Sequence, residues 1–374
     1  MKNLIFKKFF LDSVHFFIFA TLTLSIIVWT IQAVNYLDFV VEDGHGLEIY
    51  FKYTFLSLPK IISRIMPLIF FLTIFHTLNK YEDNNELKIF WINGIDKKIF
   101  INKLIQYSIL FFTLQFLLNV FVVPFSQIKA RTYIQQSNID FFPSLIDEKK
   151  FIDTVDKLTI YIDSKIGQNS YKNIILKDVE GSNKVRIIYA KEGNLNNSEK
   201  NRSLILYDGK IIDIKENNIT SFDFSSTNFD LSKYVTKSII DFKIQEQKTF
   251  FLIDCNINYH YLKKQEYFDV NNCNDASKKM TLEELFKRIV KPLYYLSLSL
   301  CACFLFLFSK ENNNFKIYRF LVFISGTILL IFSEISSSFS GSSDLQFLIS
   351  IFLPFIIFLT LLTFLHQQLR SPKI

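Results

Sequence analysis

Six runs of about 20 apolar residues constrain this chain more than any other feature. They lie at roughly 13–36, 54–78, 99–123, 289–308, 317–337 and 345–366. A helix rises about 1.5 Å per residue, so each run matches the ~30 Å hydrocarbon thickness of a bilayer. A helix covering a soluble core is usually shorter and apolar on one side only. Length alone would permit two or three soluble domains in 374 residues. The apolar residues gather at the two ends, however, while the middle is rich in Asn, Lys and Asp. The expected fold is a polytopic α-helical membrane protein with six transmembrane helices in a 3+3 arrangement around an inserted domain. Residues 1–123 and 289–374 form its two membrane parts, and 124–288 form the insertion with its return linker. The first run follows a basic start as a signal peptide does. It is too long for one and lacks a small-residue cleavage site, so it is expected to stay as an anchor.

Basic residues set the orientation. Lys2, Lys7 and Lys8 precede run one, and Lys80, Lys88, Lys97 and Lys98 separate runs two and three. Lys310, Lys316 and Arg319 separate runs four and five, and Arg370 and Lys373 follow run six. All of these are expected in the cytoplasm, with both termini. The acidic loop LDFVVEDGHGLEIY and the whole insertion then face the other side. The net charge of +7 does not indicate nucleic acid, because the basic residues form no soluble patch and no nucleic-acid motif is present.

The insertion reads as β structure. KLTIYID (157–163) alternates apolar and polar residues with a period of two, and NIILKDV, VRIIYA, RSLILYDGKIIDI and ITSFDFSS follow. Asp208-Gly209 has the form of a two-residue hairpin turn, and Glu180-Gly181-Ser182-Asn183 and Glu192-Gly193-Asn194 read as further turns. Short strands at this spacing indicate a sandwich or jelly roll. Its apolar face can be an ordinary closed core or a groove for a hydrophobic ligand. No catalytic site emerges: the five histidines are dispersed, with His260 expected in an exposed loop, no Cys/His spacing fits a metal, and no Ser or Cys stands in a nucleophile motif. Cys301 and Cys303 fall in an apolar run as small core residues, whereas Cys255 and Cys273 can pair if the insertion is exported.

A short polar stretch, NKYEDNNELKIFWINGIDKK (79–98), separates runs two and three. Asp83-x-x-Glu86 has the form of a capping box, and Gly94 suits the left-handed residue that ends a helix. Leu87, Phe90 and Trp91 recur at i, i+3, i+4, so an amphipathic helix at about 84–93 is expected. Its stripe can lie on lipid or fit a groove on a partner.

The sequence D-N-N-E-L…N-G, the preceding LSLPKIISRIMPLIF, the later LEELFKRIVKPL, and the strands KLTIYID, IIYAKEGNL and LILYDGKI stand in an order that resembles the lipopolysaccharide-export permease family (LptF/LptG). The resemblance covers essentially the whole chain. It implies one subunit of an ABC-type exporter in the bacterial inner membrane, serving outer-membrane biogenesis. Two homologous permeases pair with a cytoplasmic ATPase dimer, extract lipopolysaccharide, and pass it through the jelly roll to a periplasmic bridge protein. It implies no cofactor of the chain's own, ATP being used by the partner; no G-x-x-x-x-G-K-[ST] occurs in the sequence. It identifies 84–93 with the coupling helix, where Glu86 matches the acidic position that engages the ATPase, with Leu87, Phe90 and Trp91 as the docking surface.

Lys60 and Arg64 stand one turn apart where run two enters the membrane, and Lys287, Arg288 and Lys291 gather at the start of run four. Charges there are costly unless they meet water, a partner or an anion. Lys60, Arg64, Arg288 and Lys291 are therefore candidates for lipid phosphates. The plainer reading is snorkelling, or pairing with Asp38, Glu42 and Asp43. Some family members carry basic residues near the end of run one, where this chain has Gln32, Asn35 and Asp38. Gln32 and Glu334, the latter in the serine-rich SEISSSFSGSSD, are candidates for the family's lateral gate. The alternative class is a membrane receptor or scaffold with a ligand-binding β-domain, against which stands the lack of a cytoplasmic effector domain; within transporters, a lipoprotein-release permease with its usual four spans fits poorly.

Overall fold

The computed structural model describes residues 2–37, 47–137, 148–155, 158–167, 169–179, 184–198, 201–215, 218–231, 243–262, 275–307 and 309–370. Contacts divide the chain into a helical unit, Met1–Thr30, Ser57–Ile128 and Lys243–Ile374, and a second unit, Ile31–Leu56 and Lys129–Phe242, that carries the sheet.

Among the described residues six helical stretches are long and apolar enough to cross a membrane: Leu4–Asn35, Leu47–Asp83, Lys97–Ile134, Lys278–Leu307, Phe315–Ser340 and Asp344–Arg370. They match the six runs and extend past them, because a helix continues into its polar ends wherever a cap serves its terminus. Helix α1 spans Lys2–Asn35, α2 Leu47–Leu56, α3 Leu58–Asp83, α4 Glu86–Ile92, α5 Lys97–Leu117 and α6 Val123–Ser137. After the sheet come α7 Thr249–Leu262, α8 Asp275–Leu285, α9 Tyr294–Cys303, α10 Phe315–Ser340 and α11 Asp344–Arg370.

Aromatic rings fill the middle of the helical unit. Phe70 lies 4.6 Å from Tyr295 and 5.1 Å from Phe111. Gly326 lets α10 approach α3 closely, since a Cβ there would stand 1.9 Å from the Phe71 ring. The outer faces stay apolar: Phe19, Ile328, Phe352 and Leu359 are all more than half exposed, as lipid-facing residues are. Cys301 and Cys303 are buried free thiols. Cys255 is disulfide-bonded, and Cys273 lies outside the described residues. His260 falls in α7 rather than in a loop.

Two spans contain a widened π-helical turn, Leu118–Val122 between α5 and α6, and Phe286–Val290 after α8. Each is followed by a proline, which has no N–H to continue the ladder. Lys291 N–H bonds Phe286 O, so the next bond in that register would run from Pro292 to Lys287 O. Asn119 Nδ2 donates to that carbonyl instead, at 3.4 Å. Pro124 likewise has nothing to give the Val120 carbonyl four residues back, and Thr249 Oγ1 donates to it at 2.9 Å. Irregular backbone at membrane depth is thus satisfied by side chains of other elements.

In the second unit, β1 Phe151–Val155, β2 Leu158–Lys165, β3 Ser170–Val179, β4 Lys184–Ser198, β5 Asn201–Lys215 and β6 Asn218–Asp230 form one antiparallel sheet in sequential order. The inserted β domain is present. Among the described strands its pairing is an up-and-down meander rather than the crossed order of two Greek keys. Along one line across the sheet the register skips a residue on every strand from β2 to β6: Asp163, Asn173, Lys191, Asp208 and Ser225. Asn173 and Asp208 have positive φ there. The inward face changes parity at this crease. In β5 the core residues Leu204 and Leu206 are followed not by Asp208 but by Gly209 and Ile211.

The crease corrects two expected turns. Asp208-Gly209 is the interior of β5, and Gly193 the interior of β4. A Cβ on Gly209 would stand 2.1 Å from Tyr189 O and 2.5 Å from the Phe224 ring, so glycine serves close packing there. The 180–183 turn lies outside the described residues. Ile162, Ile174, Leu176, Leu204 and Leu206 are fully buried on the inward face.

The expected boundary at 288/289 followed the start of an apolar run. By contact, the described residues from Lys243 onward belong to the helical unit, because α7 and α8 pack on each other and α8 packs on α10.

Candidate functional site: a charged cavity and a docking helix

Where α3 begins and α5 ends, a cavity of about 310 Å³ is lined by Lys60, Ser63, Arg64, Gln115, Asn119, Val123, Gln245, Glu284, Lys287, Arg288, Lys291 and Glu334. The four basic candidates from the sequence, Lys60, Arg64, Arg288 and Lys291, meet here with Glu334. Five basic side chains face two carboxylates, a balance that favours an anion.

Their states differ. Arg288 is 2% exposed. Its Nε donates to Glu284 Oε1 at 2.8 Å, Nη1 to Gln247 O and Thr249 Oγ1 at 2.9 Å each, and Nη2 to Gln245 O at 3.0 Å. It clamps the strap 243–249 that leads into α7, so that of its five N–H donors four are spent on the protein and one, on Nη2, is left toward the cavity it lines. Lys291, in the 3-10 turn Lys291–Leu293 that leads into α9, is paired with Glu334 of α10. Lys60 and Arg64 are held loosely, reaching Gln127 Oε1 and Gln245 Oε1 at 3.5 Å each. Those two, with Lys287, are the cations the cavity offers to an incoming anion.

Sequence reasoning missed the floor. Gln115 Nε2 donates to Ser63 O at 2.9 Å and Asn119 Oδ1 at 3.2 Å, Ser63 Oγ donates to Asn119 Oδ1, and Tyr295 OH donates to Gln115 Oε1 at 3.4 Å. The available signal was two amides four residues apart inside an apolar run, since polar residues at membrane depth face a cavity or a partner. Gln32 does not join the cavity; it belongs to the second compact unit. Asp38, Glu42 and Asp43 lie outside the described residues. Among the described residues no group of three or more His, Cys, Asp or Glu could hold a metal.

The other end of the helical unit carries α4. It ends in a Schellman motif: Gly94 has φ +72°, its N–H bonds Trp91 O at 3.0 Å, and Ile95 N–H bonds Phe90 O at 3.1 Å. Its start departs from the capping box. Asn85 is the N-cap, in the left-handed region and without a side-chain cap bond, while Asp83 closes α3 and pairs with Arg319 at 2.6 Å. Glu86 pairs with Lys8 at 2.9 Å. Lys88 pairs with Glu311, and that ion pair holds the Glu311 carboxyl below its ordinary pKa.

The stripe Leu87, Phe90 and Trp91 is turned inward, correcting the expected docking surface. Phe90 packs on Tyr81 and Phe100, and Trp91 on Phe100 and Phe306. The i, i+3, i+4 pattern marks the core-facing side here, as it does in most helices. The outward apolar residues are Ile89, 53% exposed, and Ile92, 84% exposed.

Residues 7–367 match the family described as "Lipopolysaccharide export system permease LptF/LptG". The chain is also 23% identical over 316 residues to "Uncharacterized protein RP871" of Rickettsia prowazekii (strain Madrid E), a match covering 83% of this chain and 84% of that one.

Proposed function

Since the chain belongs to the LptF/LptG family of lipopolysaccharide export permeases and is thus a multi-pass membrane subunit of a transporter, we propose that it works in an ABC-type exporter in the bacterial inner membrane. It pairs with a second homologous permease and a cytoplasmic ATPase dimer. The basic ends of the helices and both termini face the cytoplasm, and the sheet unit faces the periplasm. Lipopolysaccharide phosphates enter the cavity and meet Lys60, Arg64 and Lys287, and the acyl chains pass along the β domain to a periplasmic bridge protein. Glu334, through its bond to Lys291, joins α10 to the cavity wall and acts in the lateral gate; Gln32 is the counterpart on α1. The ATPase docks on α4 through Ile89, Ile92 and the Glu86 carboxylate, while Leu87, Phe90 and Trp91 anchor the helix to the bundle.

The observation that carries this reading is the convergence of basic side chains from two spans on one cavity, at the opposite end of the bundle from α4. Substituting Lys60→Glu and Arg64→Glu together is expected to lower ATP-dependent release of lipopolysaccharide from proteoliposomes about tenfold or more, because charge-assisted contacts contribute about 1.5–3 kcal/mol each. Co-purification of the ATPase should be unchanged. Release at the unmodified rate refutes the role of the cavity.

A further inference from the structure

A second slot lies between α1 and α5, about 390 Å³ in volume and lined by Phe6, Phe9, Phe10, Phe100, Leu104, Tyr107 and Leu110, with Lys7, Lys103 and Gln106. The two helices run parallel: Phe6 meets Phe100 at 5.7 Å, Phe10 meets Tyr107 at 5.1 Å, and Phe17 meets Phe111 at 4.6 Å. At about 1.5 Å per residue, Lys7 and Lys103 stand about 8 and 9 Å from the starts of their helices, and Leu110 about 20 Å. Ammonium groups on long stems at that depth reach the headgroup layer, while the rings and leucines below them lie among acyl chains.

Among the described residues no carboxylate lines this slot. Of the other lysines at this end, Lys8 is engaged with Glu86, Lys88 with Glu311, Lys97 with Phe306 O and Lys310 with Asp83 O, and Lys80 and Lys98 do not line the slot. Lys7 makes no ion pair among the described residues, and Lys103 bonds the Gln106 amide at 3.1 Å. Two cations from different helices thus border one apolar slot without a counter-charge.

We propose that this slot binds an anionic phospholipid from the leaflet that meets the helix starts. One acyl chain occupies the space between Phe10 and Leu110, and the phosphate lies between Lys7 and Lys103. Basic pockets between transmembrane helices suit such headgroups, each lysine near the surface contributing about 1 kcal/mol. The slot is separate from the charged cavity, and its occupant holds α1 against α5.

Native mass spectrometry of the purified full-length chain, titrated with phosphatidylglycerol, chain-matched phosphatidylcholine or inorganic phosphate, tests this. One phosphatidylglycerol should be retained per chain in preference to phosphatidylcholine. Lys7→Gln with Lys103→Gln should weaken it about thirtyfold, about 2 kcal/mol at about 1.4 kcal/mol per decade. Leu110→Trp, which fills the slot, should weaken both lipids. Equal binding of the two lipids, undiminished binding by the double variant, or full competition by inorganic phosphate each overturns the proposal.

Discussion

Arg288 offers the sharpest test of the distinction drawn at the charged cavity. If it is a clamp, Arg288→Met removes four hydrogen bonds at once and leaves the Glu284 carboxylate without the pairing seen at 2.8 Å. Breaking a buried ion pair on one side costs about 3–5 kcal/mol, chiefly from the charge left behind. Removing both partners is milder, so Arg288→Met with Glu284→Met should recover about 1–3 kcal/mol relative to the sum of the single changes. The assay is thermal unfolding of the detergent-purified chain, read beside limited proteolysis of the strap 243–249. Arg288→Met should melt several degrees lower and expose the strap, whereas Lys60→Met and Arg64→Met, at loosely held positions, should do neither. Unfolding of Arg288→Met within a degree of the unmodified chain, with the strap equally protected, refutes the clamp and returns Arg288 to the ligand-binding cations.

At α4, Ile92→Asp should abolish ATPase co-purification without lowering stability, because that side chain is 84% exposed, while Phe90→Ala should destabilise by about 3–5 kcal/mol as a buried aromatic; retained co-purification of Ile92→Asp would count against the docking face. Gly326→Ala places a methyl 1.9 Å from the Phe71 ring, so overpacking of about 1–3 kcal/mol is expected in thermal unfolding, partly relieved by adding Phe71→Leu. In the sheet, Arg186 Nε bonds Asp213 at 2.7 Å and holds its carboxyl below the ordinary value of 3.8. That contribution is fully present above the unfolded pKa and is lost as pH falls through the lowered one. The Arg186 side chain is one-third exposed, so it amounts to about 1 kcal/mol or less. Asp213→Asn should flatten the acid limb of a pH–stability profile by that small amount.

The sequence by itself determined the six spans, the 3+3 division, the basic end of the bundle, the β character of the insertion and the family. Each rests on one-dimensional quantities that outlast folding: run length against bilayer thickness, the side on which lysines accumulate, and a period of two. Tertiary structure decided which side of each element is used. The stripe on α4 looks the same in sequence whether it packs inward or outward, and only its contacts with Phe100 and Phe306 showed Ile89 and Ile92 to be the outer face. The crease at Asp208 mimics a hairpin because an unpaired residue breaks the period as a turn does; β5 stays continuous because its pairing with β4 and β6 resumes in the same register beyond the skip. Lys60, Arg64, Lys287, Arg288 and Lys291 look alike as charges near a membrane surface. Which of them are spent on the protein and which are left for a ligand depends on partners up to 181 residues away, a separation that no local pattern spans.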